Sequence, residues 1–319
     1  MDIFKRIILN MNIKKINLNH SLIFFLFCNI FSLIIYKINN LNISPLFCLL
    51  LILTIGVSHG SLDHVKGRKL FNILKINQIS IFYFLYILTA ILVTIIWIIL
   101  PSISLMIFLF VAAFHFGKED TQFLISGNSY FKQLLFFLKG LLIIFAPMYF
   151  HFDETISIFK FLLVESEIFY TILEFIEVSK ILSIGIFLST LSSVYLIIIK
   201  FEIKKSLIFL DLFSILILNY YLLPLVAFTI YFCFLHSIRH SITLIYEINK
   251  NDFKNGLKVF IIKALPLTIL TSFFCLFGIY LLNNSYDLNS SILKMIFIGL
   301  ASLTFPHILL EYFLEKNEK

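Results

Sequence analysis

One short stretch decides how the rest of the chain is interpreted: Phe232-Cys233-Phe234-Leu235-His236-Ser237-Ile238-Arg239-His240. It places two imidazoles and a guanidinium inside the apolar run 225–246, which is long enough to cross a bilayer as a helix. Ionisable side chains at membrane depth are unfavourable, and they usually face the interior of a helix bundle and have a partner there. Because residues four apart share one face of an α-helix, we expect His236 and His240 to point the same way, close enough to share a metal ion. The alternative is a pair of neutral histidines that are hydrogen-bonded to neighbouring helices.

The composition of the chain places it in a membrane. Of its 319 residues, 60% are hydrophobic and 13% are charged, and the mean hydropathy is +1.01, so the chain is far more apolar than a soluble domain. The net charge of +7 could indicate nucleic-acid binding, but the basic residues form short clusters between apolar runs, which is typical of topology signals. The four cysteines lie inside apolar runs without CxxC spacing, which argues against a zinc ribbon or a disulfide framework. We therefore expect an integral membrane protein that binds no nucleic acid.

Apolar runs divide the chain into ten candidate spans. They cover residues 21–36, 45–60, 79–99, 102–117, 131–150, 181–199, 206–222, 225–246, 257–282 and 291–314. The first two and the fourth are short for a hydrocarbon core about 30 Å thick. The predicted fold is an all-α polytopic membrane helix bundle of about ten (8–10) transmembrane helices. We expect a basic cytoplasmic segment 1–20, one transmembrane domain over 21–315 and a tail 316–319, with the first span retained because no cleavage site follows it.

The charges of the loops predict an orientation for this bundle. Cytoplasmic loops are rich in Lys and Arg, and with the N-terminus inside the cell the basic loops 61–78, 118–130, 200–205 and 247–256 all lie on the cytoplasmic side. The longest outer loop, 151–180, is acidic, and we expect a surface helix there. The protein is thus predicted to be a multi-pass protein of the inner (plasma) membrane with both termini in the cytoplasm.

Five of the eight histidines lie in or at the ends of predicted spans. At a helical rise of about 1.5 Å per residue, all five fall in the cytoplasmic half of the bilayer: His59, His115, His236, His240 and His307. Histidines that served only packing would not prefer one leaflet, so this distribution favours one shared metal site. Imidazoles suit Zn, Cu or Fe(II), and the chain lacks the HExxH motif of zinc proteases. We favour a histidine-rich Fe(II) site, because it leaves coordination positions open for dioxygen.

Carboxylates that could orient these imidazoles from behind lie near three of them. The pairs in chain order are His59 and Asp63, His115 and Asp120, and His307 and Glu311. Asp63 and Asp120 could equally be solvated loop charges. Asp211 lies at the same predicted depth, where an acid needs a partner, and Arg239 could pair with one of these acids. Lys139 is also buried by sequence, without a role that the sequence assigns.

Four blocks of the sequence together resemble a known family. They are His59-Gly60-Ser61-Leu62-Asp63-His64, His115-Phe116-Gly117-Lys118-Glu119-Asp120, His236-Ser237-Ile238-Arg239-His240 and Pro306-His307. In order and spacing, over roughly residues 45–315, the chain is similar to the bacteriorhodopsin-related protein family (Brp/Blh), the membrane β-carotene 15,15′-dioxygenases of bacteria and archaea. The resemblance implies an Fe(II) site bound by His59, His115, His236 and His240. It adds His307 as a fifth candidate, and His64 extends the first block.

The resemblance also implies the reaction, which is cleavage of the central double bond of β-carotene by O2 to give two molecules of all-trans-retinal, with a rhodopsin as a user of the product. A long polyene is insoluble in water, so such an enzyme benefits from an apolar site that is reached laterally from the lipid. Two other classes stay open from the residues alone. A di-iron desaturase or hydroxylase also uses HxxxH, although it needs adjacent His-His pairs that this chain lacks. A transporter, or a carrier with two of these histidines as haem ligands, would not be an enzyme.

Overall fold

A computed structural model of the chain describes residues 2–38, 43–123, 129–198, 206 and 208–317, apart from the side chains of residues 2–12, 14, 59, 197 and 208. Every regular element within these residues is helical. The α-helices are α1 (Asp2–Lys37), α2 (Pro45–Leu51), α3 (Asp63–Ile73), α4 (Ile79–Ile99), α5 (Pro101–Glu119), α6 (Tyr130–Phe150), α7 (Phe152–Phe161), α8 (Glu167–Val178), α9 (Ile181–Ile198), α10 (Ile208–Tyr221), α11 (Pro224–Ile230), α12 (Ile238–Ile248), α13 (Phe253–Leu282) and α14 (Leu288–Asn317). Two π-helical turns, π1 (Ile52–Gly56) and π2 (Tyr231–Ser237), and a 3-10 turn, Val57–Leu62, complete the bundle.

Seven helices in the described part of the chain are long and apolar enough to cross a membrane. They are Lys15–Lys37, Ile79–Ile99, Pro101–Glu119, Tyr130–Phe150, Pro224–Ile248, Phe253–Leu282 and Leu288–Asn317. The bent pair Pro45–Gly56 and Gly60–Ile73, with 41° between its halves, adds an eighth if it forms one span. The all-α polytopic bundle is thus confirmed, whereas the count of about ten spans is not. The predicted runs 181–199 and 206–222 form shorter helices, α9 and α10, and the run 45–60 breaks at π1.

Capping residues set several helix starts. The side chains of Ser44, Ser129, Ser166 and Asp252 accept hydrogen bonds from backbone N–H groups in the first turns of α2, α6, α8 and α13.

The acidic segment 151–180 forms two helices, α7 and α8, where one helix was predicted. Leu163, with a φ of 69°, turns the chain between them.

A close crossing of α5 and α6 fixes the end of α5 that carries the site. A Cβ at Gly117 would lie 1.8 Å from the carbonyl oxygen of Phe136, and a Cβ at Gly140 would lie 1.7 Å from that of Ala113. Two hydrogen atoms in place of side chains therefore let the two backbones touch, as small residues do in membrane bundles. His115, Glu119 and Asp120 all lie at this end of α5.

The two π turns pack against each other. The hydroxyl of Ser237 donates to the carbonyl oxygen of Gly56 at 3.0 Å, and a Cβ at Gly56 would lie 2.6 Å from the ring of Phe232. π turns are rare and frequently mark functional sites. Here π2 carries His236, and α12 begins directly after π2 and carries His240.

Candidate metal centre and apolar cavity

Four buried imidazoles converge from four elements of the bundle. His115 comes from α5, His236 from π2, His240 from α12 and His307 from α14, and each is at most 8% exposed. The ring centroid of His115 lies 5.2 Å from that of His236 and 5.5 Å from that of His307. The ring centroids of His240 and His307 lie 5.9 Å apart. Two imidazoles on one ion have centroids roughly 4.5–6 Å apart, because each nitrogen lies about 2.0–2.1 Å from the metal. The spacing of the rings therefore suits ligands that surround one ion.

The order of the ring contacts differs from the order of the histidines along the chain. Among the described side chains, the histidine ring nearest to His236 is that of His115, and the one nearest to His240 is that of His307. The reason is that π2 ends at Ser237, so the two histidines do not follow one regular α-helix. His115 and His307 each contact two histidine rings and are central to the cluster. His59 lies in the 3-10 turn, and its side chain lies outside the described part of the structure.

The donor atoms of this cluster include a carboxylate. Among the described residues, His240, His307 and Glu311 form the set whose donor atoms all lie within 4.8 Å of one another. His115 and His236 join this set through their ring contacts, since a small rotation of a ring moves its nitrogen atoms by about an ångström. Imidazole is a ligand that suits iron as well as zinc and copper. The donor set therefore fits iron.

Carboxylates are hydrogen-bonded to the Nδ1 atoms of three of the four imidazoles. The Nδ1 atoms and their carboxylate oxygens pair as follows: His236 with Asp120 at 3.1 Å, His240 with Glu119 at 3.0 Å, and His307 with Asp63 at 2.9 Å. Such bonds fix the tautomer and orientation of a metal-binding imidazole. Because Nδ1 makes this bond, Nε2 is the nitrogen that each ring can offer to a metal.

The partners are not the neighbours in sequence. Asp63, expected to orient His59, bonds to His307, and Asp120, expected to orient His115, bonds to His236. The ends of α3 and α5 lie beside other helices, so their acids reach across to those helices. Sequence reasoning missed Glu119, although its position four residues after His115 places both on one face of α5.

Two tyrosines complete the orientation of these acids. The hydroxyl of Tyr231 donates to Asp120 at 2.7 Å, and the hydroxyl of Tyr86 donates to Asp63 at 2.7 Å. Each aspartate therefore bridges a tyrosine and a histidine. Nothing in the sequence pattern marks these two tyrosines, because their helices are distant in the chain from the acids they meet.

Asp211 and Arg239 form a buried ion pair behind the cluster. The guanidinium of Arg239 donates to both carboxylate oxygens of Asp211, at 2.8 and 3.2 Å. It also donates to the carbonyl oxygen of Asp120 at 3.1 Å and to the hydroxyl of Ser21 at 2.9 Å. Arg239 thus has the acidic partner expected for it, but Asp211 orients this guanidinium and no described histidine ring. The pair ties α12 to α10, α1 and the end of α5.

Two lysines border the site. Glu311, expected to orient His307, instead accepts a hydrogen bond from Lys66, whose Nζ also lies 3.3 Å from Nε2 of His240.

The second lysine, Lys139, is buried and donates to the hydroxyl of Thr121 at 2.6 Å. A space of about 10 Å³ lies among Lys139, Asp120 and Asp211, close to the volume that one water needs. Lys139 and Arg239 thus balance the two buried aspartates.

A large cavity adjoins the histidine cluster. Its volume is about 800 Å³, within the range of about 300–1,000 Å³ that is typical of small-molecule sites. His115, His236 and His307 form its polar part, and mostly apolar side chains of α4, α13 and α14 line the rest. Ile91 of α4 and Phe274 of α13 line the cavity and are also 50% and 60% exposed. The cavity therefore opens on the flank of the bundle, between α4 and α13, where a spanning protein meets lipid.

Comparison with known proteins adds to this geometry. The family model described as Beta-carotene 15,15'-dioxygenase matches residues 50–315. A protein of the uncultured marine bacterium 66A03, named Beta-carotene 15,15'-dioxygenase, is 31% identical over 265 residues, which cover 82% of this chain and 90% of that protein. No solved structure matches the chain significantly. The matched region contains the histidine cluster, the acids that orient it and the cavity. This chain belongs to the β-carotene 15,15′-dioxygenase family.

Proposed function

We propose that this chain is a β-carotene 15,15′-dioxygenase, which cleaves the central double bond of β-carotene with O2 and releases two molecules of all-trans-retinal. The observation that carries the proposal is a buried histidine cluster on the wall of a mostly apolar cavity that opens on the lipid-facing flank. An apolar polyene matches this lining, and the cluster brings polar chemistry to one point along it. One C=C bond breaks and two C=O bonds form, each with one oxygen atom of O2, so the reaction needs no reductant. Membership of the family favours this function over a desaturase, a haem carrier or a transporter.

We propose Fe(II) as the metal. His115, His236, His240 and His307 would hold it, together with His59, which the family resemblance adds. Bound iron would supply the activation of O2. The protein's own contribution is to hold each imidazole by its carboxylate partner, to keep water out with apolar walls and to place the polyene beside the cluster.

We also propose the setting of the reaction. Residues 21–315 form a single transmembrane domain in the inner (plasma) membrane, with both termini in the cytoplasm, because the basic loops then lie on the cytoplasmic side. β-Carotene enters from the bilayer, and a rhodopsin in the same membrane is a user of the retinal.

Expression in cells that make β-carotene tests the function. We expect loss of the orange colour and extractable retinal with the unchanged chain, and neither with His236→Ala or His240→Ala, although these variants still insert into the membrane. His151→Ala is the matched control, because His151 lies at the far end of α6 from the cluster. Unchanged β-carotene with the natural sequence, or retinal from both cluster variants at the control level, would contradict the proposal.

The metal is tested on the purified protein. We expect roughly one iron per chain, as one shared site requires, and no haem absorption band. His307→Ala should lose iron, while His151→Ala should keep it. A haem band would support the carrier instead.

A further inference from the structure

We infer that the depth of the apolar cavity selects which double bond is cut, and that Ala90 and Thr94 on its wall are specificity-determining positions. The inference rests on the proposed function and goes beyond it, because it assigns the choice of the central bond to one part of the cavity.

The cavity extends unequally along α4. Tyr86 marks the level of the cluster, because its hydroxyl donates to Asp63, which holds His307. In one direction the lining ends at Phe82, four residues away and about 6 Å at the helical rise. In the other direction it continues to Ile95, nine residues and about 13 Å away. The cavity therefore has a short arm and a long arm on either side of the cluster.

The two other walls agree with this extent. On α14 the lining runs from His307 back to Leu300, about 10 Å along the helix. On α13, Thr268 lies near the level of the cluster, because its hydroxyl is 2.7 Å from that of Ser61, and the lining continues six residues, or about 9 Å, to Phe274. Three helices thus outline the same long arm.

Charged groups close the side of the cluster that faces away from the cavity. Lys66 lies there 3.3 Å from His240 and donates to Glu311, Glu119 bonds to the other ring nitrogen of His240, and none of the three charged residues lines the cavity. An apolar chain that displaced these contacts would leave buried charges without partners, which is strongly unfavourable. The polyene is therefore confined to the two arms and the open flank.

The depth to which the polyene enters the long arm determines which of its double bonds is cleaved. A conjugated polyene is stiff, because rotation about its double bonds is blocked. The depth that its leading end reaches in the long arm therefore fixes which bond lies at the cluster. In the natural chain the long arm would accept half of the substrate, so that the central bond lies at the metal and the two aldehydes are identical.

Ala90 and Thr94 are the positions where the long arm can be shortened. Both line the cavity on the same face of α4, about 6 Å and 12 Å beyond Tyr86. A phenylalanine at either position would stop the leading end earlier, and more so at position 90. The cut then moves toward the leading end. One C=C bond still breaks and O2 still supplies both carbonyl oxygens, but the two aldehydes are a shorter and a longer one.

The test compares Ala90→Phe, Thr94→Phe and Leu92→Phe in the full chain, expressed in cells that make β-carotene, with all aldehydes separated and identified by mass. Leu92 lies on the same helix, is 48% exposed and does not line the cavity, so Leu92→Phe adds the same ring to the lipid face. We expect unequal aldehyde pairs from both cavity variants, with retinal a minor product of Ala90→Phe. We expect retinal alone from Leu92→Phe.

The outcomes separate this inference from the proposed function. Retinal as the sole product of both cavity variants would overturn the inference, and so would loss of all cleavage by both while their iron content equals that of Leu92→Phe. No retinal from the natural sequence would instead overturn the proposed function. Unequal aldehydes from either cavity variant, with retinal alone from the control, would support the inference.

Discussion

Asp120 makes two hydrogen bonds at once, accepting one from the hydroxyl of Tyr231 while its other oxygen holds Nδ1 of His236. Its charge strengthens the bond to the imidazole, because a carboxylate raises the basicity of a metal-binding histidine. Asp120→Asn keeps the size of the side chain and removes the charge. We expect the affinity for iron to fall about 10–100-fold, measured on the purified protein by competition with a chelator.

Asp153→Asn is the matched control for that experiment. Asp153 is exposed on α7, two residues after His151 at the far end of α6 from the cluster. The affinity of Asp153→Asn for iron should therefore equal that of the natural protein. Equal affinities for the two variants would show that Asp120 does not support the metal site.

The predicted depth of each histidine in the bilayer was enough to group His115, His236, His240 and His307. The structure brings the rings of these four residues together. It was not enough to assign the acids to the imidazoles. Which acid meets which imidazole depends on how the ends of different helices pack, and this packing leaves no trace in the spacing of residues along one helix. The two tyrosines were missed for the same reason, whereas the spacing of Glu119 from His115 on α5 could have indicated this acid. The role of His59 stays a prediction.

The helix α5 carries three groups of the site, so its position against α6 matters as an element. At Gly117 an added Cβ would lie 1.8 Å from a backbone oxygen of α6, which cannot move aside as a flexible side chain would. We expect Gly117→Ala to push α5 away from α6, to lower the stability by about 1–3 kcal/mol and to reduce the iron content. The melting temperature in detergent and the iron content of the purified protein measure the two effects.

A second glycine provides the comparison. No atom lies within 4 Å of a Cβ added at Gly299, in the interior of α14. Alanine stabilises a helix interior by about 0.5–1 kcal/mol relative to glycine, so Gly299→Ala should melt at the same or a higher temperature and keep its iron. Equal losses in both variants would refute the role of the α5–α6 crossing.

At the level of elements, composition predicted helices but not their interruptions. A long apolar run indicates a helix, since the backbone must satisfy its own hydrogen bonds in lipid. It does not distinguish α from π geometry, because an almost uniformly apolar segment has no clear periodicity. The break at π1, which divides the predicted run 45–60, and the wide turn at π2 were therefore not predictable from the sequence.

The bundle as a whole takes its substrate from the membrane if the open flank between α4 and α13 is the entrance. The rate should then follow the mole fraction of β-carotene in the lipid and not its total concentration. Purified protein in vesicles tests this: when lipid is added at constant total β-carotene and constant protein, we expect initial rates below saturation to fall in proportion to the dilution. Rates that stay constant under dilution would contradict lateral entry.

Orientation is a second property of the whole molecule. The distribution of Lys and Arg predicts both termini in the cytoplasm, which requires an even number of spans. Reporters that are active on one side only, fused to each end of the full chain, should give the same cytoplasmic signal. Opposite signals would indicate an odd number, such as the seven long helices in the described part of the chain.

The wide turn at π2 limits how far this protein can be made more robust. A π turn contains one residue more than the regular turn that it replaces. Deleting one residue between Tyr231 and Phe234 would restore an ordinary helix with better backbone geometry, yet it would rotate His236 by about 100° away from Asp120. The same rotation would separate buried partners on either side of the turn, such as Tyr231 from Asp120 or Arg239 from Asp211, so a regular turn would weaken the bundle as well as the metal centre. An irregular backbone is thus retained here because the chemistry and the packing both need it, and heat resistance has to be sought elsewhere in the bundle.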